Sequence, residues 1–284
     1  MKRMIALLGL ILILFCGCTP KETPADIAAT TLPVYEFTAR LCQGTGITVT
    51  RLVTENVSCL HDYTLSVRQA RAAEAAQLIV ISGAGLEDFM DDLLHDKKMI
   101  DSSVGIKAPD ADHHHDHDHA ADAHIWLSPE HAKQMATNIC TGLAKEYPSH
   151  KALLEANLQT LLADIEALAQ YADSQLSSIS CREIITFHDG FGHLAEAFDL
   201  HILASVEEES GSEASAAELK NLIQLIREHN LPAIFTERNG SVSAADIIAA
   251  ETGVKVYALD MAMSGHSWLD AMYHNIDTIK EALG

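Results

Sequence analysis

Between Pro148 and Ser178 the chain runs for about thirty residues without a glycine, and with no proline after Pro148. Leu153, Leu154, Leu158, Leu161, Leu162, Ile165 and Leu168 recur there at spacings of three and four, which places them on one stripe of a helix. At 1.5 Å per residue such a helix is about 45 Å long. A helix of that length joins things, and it divides the chain. On both sides strand-like and helix-like segments alternate, the pattern of α/β layers built on parallel sheets.

On the amino-terminal side, Ala28–Tyr35 reads as a strand that ends in a turn, and Glu36–Cys42 as a helix. Ile47–Val53 is β-rich, and Thr64 can cap a helix running to about Ala76. Leu78–Gly83 is a continuous apolar run closed by small residues, as expected of a strand buried on both faces. Leu86–Leu94 is helical, and Ser128-Pro129 opens a further helix with a capping hydroxyl and a first-turn proline. On the carboxyl-terminal side, strands are expected at 183–187, 202–206, 233–236 and 254–259. Helices are expected at 192–198, from the Ser215–Glu218 capping box to about His229, from Ser243 and from about Ser267. The organisation expected is therefore residues 28–147 as one α/β lobe, 148–179 as a rigid connecting helix and 180–284 as a second α/β lobe. The halves share a rhythm but no detectable sequence repeat.

The extreme amino terminus reads as an export signal. Lys2 and Arg3 precede an apolar run from Met4 to Phe15, too short to span a bilayer comfortably. Phe15-Cys16-Gly17-Cys18 follows, so residues 1–17 are expected to be cleaved, leaving Cys18 lipidated and residues 18–27 as a tether. Phe15 stands where such signals usually carry leucine. Export permits disulfides, and Cys42, Cys59, Cys140 and Cys181 allow three pairings in two bridges. None forms a Cys-x-x-Cys motif. The formal net charge of −21 leaves no basic stripe for phosphates and excludes a nucleic-acid partner.

Histidine is concentrated in one place. Six of the chain's 16 lie between Ala111 and Pro129. His113, His114, His115, His117 and His119 are interleaved with aspartates and carry no apolar period, so the loop 111–123 reads as a solvated metal-collecting segment. His124 differs, because Ile125-Trp126-Leu127 would anchor it at the edge of a core. His61 follows the β-rich segment 47–53 by a loop. His188 and Asp260 each follow a strand directly. Ligands of open α/β sheets bind outside the strand carboxyl ends, so two facing sheets would bring His61, His124, His188 and Asp260 to one cleft. Three imidazoles and a carboxylate make a zinc shell. Asp62, Asp189 and Glu237 are placed to orient those imidazoles from behind. His193, His201, His229, His266 and His274 lack this context and read as ordinary core or surface histidines.

These residues, in this order, resemble a family. His61-Asp62-Tyr63, Asp122-Ala123-His124-Ile125-Trp126-Leu127-Ser128-Pro129, Phe187-His188-Asp189-Gly190-Phe191-Gly192-His193-Leu194 and Val256-Tyr257-Ala258-Leu259-Asp260 are similar to segments of the zinc/manganese solute-binding lipoproteins of bacterial ABC importers. The likeness is to the zinc branch of cluster A-I, which carries a His-rich loop just before the second ligand. It covers nearly the whole mature chain. It implies two α/β lobes joined by one helix, a metal held between them, His61, His124 and His188 as imidazole ligands, and Asp260 at the position of a fourth, acidic group. The chain departs from the family where proline often precedes the second histidine and where proline often follows Leu259-Asp260-Met261. Cys59, two residues before His61, has two readings: a disulfide, with Cys181 as a partner that would tie the lobes, or a thiolate ligand. The resemblance further implies Zn²⁺ as cargo, with Mn²⁺ as the alternative, a membrane permease as partner, a monomer, and no catalysis. An exported zinc hydrolase fits less well, since neither His-Glu-x-x-His nor Gly-x-Ser-x-Gly occurs. A metal-buffering surface adhesin remains the other alternative.

Overall fold

Eight short strands sort into two parallel sheets, one on each side of the long helix. The computed structural model describes residues 24–57, 60, 63–107, 122–206 and 214–284. The first half supplies β1 (Ile27–Ala29), α1 (Leu32–Leu41), β2 (Val49–Arg51), α2 (Val67–Ala75), β3 (Leu78–Ile81), α3 (Asp91–Leu94) and β4 (Met99–Asp101). Their strand order is β2-β1-β3-β4, and every pair is parallel. β3 is paired on both edges and wholly buried, as its unbroken apolar run predicts. β4 escaped the sequence reading because three residues show no period.

Two elements start elsewhere than expected. Leu32–Tyr35 is the first turn of α1 rather than the end of a strand. Pro33 explains this, since a first-turn proline lacks an N–H that the helix would not use and has φ preset. Ser66 rather than Thr64 caps α2: its Oγ accepts from the Gln69 N–H at 3.4 Å, and the Gln69 Oε1 accepts from the Ser66 N–H at 2.7 Å.

The middle of the chain is α4 (Pro129–Glu146), capped by Ser128 as expected, and α5 (Lys151–Leu176). A 3₁₀ turn at Pro148–His150 leads into α5, whose 26 residues span roughly 39 Å at 1.5 Å each. Leu154, Leu158, Leu161, Ile165, Leu168, Ala172 and Leu176 form its buried stripe. The second half supplies β5 (Glu183–Thr186), α6 (Gly192–Ala197), β6 (His201–Ser205), α7 (Ala216–His229), β7 (Ala233–Glu237), α8 (Ser243–Thr252), β8 (Lys255–Leu259) and α9 (Trp268–Leu283). The order β6-β5-β7-β8 repeats that of the first sheet strand for strand. The shared rhythm is thus a shared topology.

The two lobes are not joined by α5 alone. One core cluster runs from Ile27 and Phe37 through Trp126 and the α5 stripe to Trp268 and Leu283. The Trp126 indole N–H donates to the Met261 carbonyl at 2.7 Å, and the Trp268 indole N–H to the Trp126 carbonyl at 3.0 Å. Phe37 meets Trp268 edge to face at 5.0 Å. Both tryptophans are fully buried. Emptying either site would cost about 3–5 kcal/mol, so this seam resists wide opening of the lobes.

Candidate metal centre

His124 stands at the entry to a 3₁₀ turn, Ile125–Leu127, whose three apolar side chains are buried and fix the backbone that carries it. It is 3% exposed. Asp122 holds it twice: Oδ1 accepts the His124 backbone N–H at 2.9 Å and lies 2.8 Å from the ring Nδ1. A carboxylate can only accept, so Nδ1 carries the proton and Nε2 presents its lone pair. That Nε2 is buried with no hydrogen-bond partner among the described residues. Burial pushes the Asp122 carboxyl up, but the hydrogen bonds from the His124 ring and backbone outweigh it and bring the group below the ordinary carboxylate range.

His188 arrives from the other lobe, two residues past β5. Its ring lies 5.2 Å from that of His124, edge to face at 83°. Gly190 makes the approach possible. A Cβ there would come within 2.6 Å of His188 Cδ2 and 2.7 Å of His124 Cε1, so any side chain would drive the imidazoles out of place. The other Asp122 oxygen accepts the Gly192 N–H at 3.1 Å, which pins the end of the His-rich segment to the loop that carries His188.

Two carboxylates lie at neighbouring strand ends. Glu237 closes β7, is 4% exposed, and places Oε2 4.0 Å from His188 Nδ1. Its Oε1 is buried with no hydrogen-bond partner among the described residues. Burial, and then the negative charge of Asp260, push its pKa up to about 7. Asp260, one residue past β8, is better provided for. Its Oδ1 accepts the Ala262 N–H at 2.8 Å and its Oδ2 accepts from Arg238 Nη1 at 3.0 Å. Asn275 brackets its backbone, accepting the Asp260 N–H and donating to the Asp260 carbonyl, both at 2.7 Å.

The sequence expectations meet this geometry unevenly. His124 meets His188, Glu237 lies 4.0 Å from His188, and Asp260 stands at the neighbouring strand end, but among the described residues no three such groups are arranged to hold a metal; Asp189 is not among them. It is exposed. Asp122 takes the orienting role that the sequence reading gives to Asp62, Asp189 and Glu237, and that reading misses it. A carboxylate two residues before a ligand-type histidine was the available signal. His61, Asp62, Cys59, Cys18 and the loop histidines 113–119 lie outside the described residues. Tyr63, next to them, donates its hydroxyl to Glu55 at 2.8 Å and accepts from Gln69 Nε2 at 2.6 Å. Cys42, Cys140 and Cys181 are free thiols. Cys181 precedes β5, at the end of the sheet opposite His188, and its Sγ faces the Glu183 carbonyl at 3.4 Å. A bridge from Cys181 tying the lobes beside the site is therefore not what the fold provides.

Comparison with known proteins agrees on one family. Residues 27–282 match the family model described as ZnuA, zinc-uptake complex component A, periplasmic. The zinc-binding lipoprotein AdcA of Streptococcus pneumoniae serotype 4 is 27% identical over 99% of this chain, which spans 61% of AdcA's length. The high-affinity zinc uptake system protein ZnuA of Bacillus subtilis is 27% identical over 96% of this chain and 94% of its own. A crystal structure of ZnuA, at 30% identity, superposes with a TM-score of 0.78 over 92% of this chain and 100% of that one.

Proposed function

Since the chain belongs to the family of periplasmic zinc-uptake components, we propose that it is the extracytoplasmic receptor that captures Zn²⁺ and delivers it to an ABC permease. The observation that carries this reading is the His124–His188 pair. It draws one imidazole from each lobe to 5.2 Å, with Asp122 holding the His124 tautomer that leaves Nε2 bare. Metal-bound histidines are commonly oriented in this way through their other nitrogen.

His61, His124 and His188 would supply three imidazole nitrogens to the cargo ion. Asp260 would supply the carboxylate, exchanging Arg238 for the metal at one oxygen. Glu237 would steady His188 through Nδ1. Imidazoles favour zinc, whereas manganese prefers a shell richer in oxygen. A shell closed by four protein groups suits capture and release rather than catalysis, which needs an open position. We read the protein as a receptor, not an enzyme. Cys18 would carry the lipid that anchors it outside the cell. Among the described residues no helix is long and apolar enough to cross a membrane. The loop histidines 113, 114, 115, 117 and 119 would collect zinc at the entrance, and the receptor would work as a monomer.

The test is a titration of metal-free chain, residues 19–284, with zinc and manganese against a competing chelator. One tight zinc site is expected, weakened at least a hundredfold by His188→Ala and kept when residues 113–119 are deleted. Tight manganese with weak zinc would move the assignment to a manganese receptor. Only weak sites that vanish with the loop would leave a metal-buffering surface protein.

A further inference from the structure

Imidazoles meet across the lobes in a second place. His131, in the first turn of α4, faces His193, in the first turn of α6, with ring centroids 4.9 Å apart and planes at 80°. This repeats the His124–His188 arrangement of 5.2 Å and 83°, again with one ring from each lobe. His193 is 0% exposed. Its Nε2 lies 3.0 Å from the Asp122 carbonyl oxygen. That oxygen only accepts, so Nε2 carries the proton and Nδ1 is a bare lone pair. The Nδ1 atoms of His193 and His131 are both buried without a hydrogen-bond partner among the described residues. Asp122 therefore sets two tautomers at once, His124 through its carboxylate and His193 through its carbonyl.

Two orphaned nitrogens on a pair of touching rings are more than packing requires, because buried polar atoms are ordinarily satisfied. We propose that His131 and His193 form a second, weaker site for a borderline divalent cation such as Zn²⁺, at the seam between α4 and α6 and separate from the cleft. Imidazole pairs suit zinc, copper and nickel. No group of three or more His, Cys, Asp or Glu is arranged to hold a metal among the described residues, so water completes the shell and the ion exchanges readily. Burial, and then the neighbouring His193, hold the His131 imidazole below its ordinary value, while Glu196 and Glu130 act the other way. The ring is thus neutral near pH 7, as a ligand must be, and the two glutamates favour a cation beside it. Because α4 and α6 belong to opposite lobes, an ion here would link them and slow loss of metal from the cleft.

Equilibrium dialysis with Zn²⁺ tests this on residues 19–284 with His113, His114, His115, His117 and His119 replaced by serine, so that the loop contributes nothing. Two equivalents are expected, the second at least a hundredfold weaker than the first. His131→Phe preserves an edge-to-face ring and should abolish only the second, leaving the tight equivalent within twofold; His131→Gln should do the same. A parent that binds a single equivalent, or a second equivalent that survives both substitutions, would overturn the proposal. The tight cleft site reports in every case that the variant is folded.

Discussion

The two lobes each bury a glutamate at or beyond the end of an inner strand, and the two are treated oppositely. β3 lies between β1 and β4, and β7 lies between β5 and β8; Glu87 is on the loop after β3, and Glu237 closes β7. Burial pushes both carboxyls up to about 7. Glu87 is fully provided for. It accepts from the Thr30 hydroxyl at 2.6 Å, the Ser82 N–H at 2.8 Å and the Gly83 N–H at 2.9 Å. Glu237 has one oxygen without a partner among the described residues, an imidazole at 4.0 Å and the charge of Asp260 nearby. Equal burial therefore does not mean equal purpose. A satisfied buried carboxylate organises its loop, whereas an unsatisfied one beside an imidazole and a second carboxylate is held ready for positive charge.

The largest expected effect is at the satisfied residue. Glu87→Ala leaves three buried donors without an acceptor, which should cost about 3 kcal/mol or more in urea denaturation of the metal-free chain. The tight zinc equivalent should persist in whatever folds. A loss below about 1 kcal/mol would break the comparison.

Glu237→Gln should act next most strongly, and in the opposite sense. The carboxyl has an ordinary value of 4.5 and is raised to about 7 in the fold, so between these values the native state binds the extra proton. The stability this gives is full below pH 4.5 and is lost as pH rises through about 7. The shift corresponds to about 3 kcal/mol. The glutamine variant cannot lose it, and in metal-free denaturation it should gain on the parent by up to that amount between pH 4 and pH 8. Saturating zinc should narrow the gap, since a nearby cation stabilises the charged form. Parallel stability curves for the two proteins would show that Glu237 is not strained.

The smallest effect is at Arg238, whose side chain is 59% exposed and pairs with Asp260 at 3.0 Å. An exposed partner contributes under about 1 kcal/mol, so Arg238→Ala should tighten zinc only a few-fold in chelator competition. A weakened site would mean that the guanidinium supports Asp260 as a neighbour of the metal rather than competing for it.

How much of this was legible beforehand follows the range of each interaction. The caps at Ser128 and Ser215, the buried run at β3 and the stripe of α5 are set by contacts within four residues or by one element's period, and a sequence displays those directly. Leu32–Tyr35 was misread because a first-turn proline and a strand's closing turn look alike over four residues. His124, His188 and Asp260 stood out because each follows or borders an element whose end could be located.

What the sequence determined by itself is the alternation of strands and helices, the long helix that divides it, and the ligand-type side chains at the element ends. Tertiary structure alone decided that Asp122 clamps His124 and reaches Gly192, 70 residues away. It also decided that Gly190 must lack a side chain, that Glu237 is left wanting where Glu87 is not, and that His131 meets His193. These depend on the two sheets being brought together across a shared tryptophan seam. No local period records which side chains meet when two surfaces close.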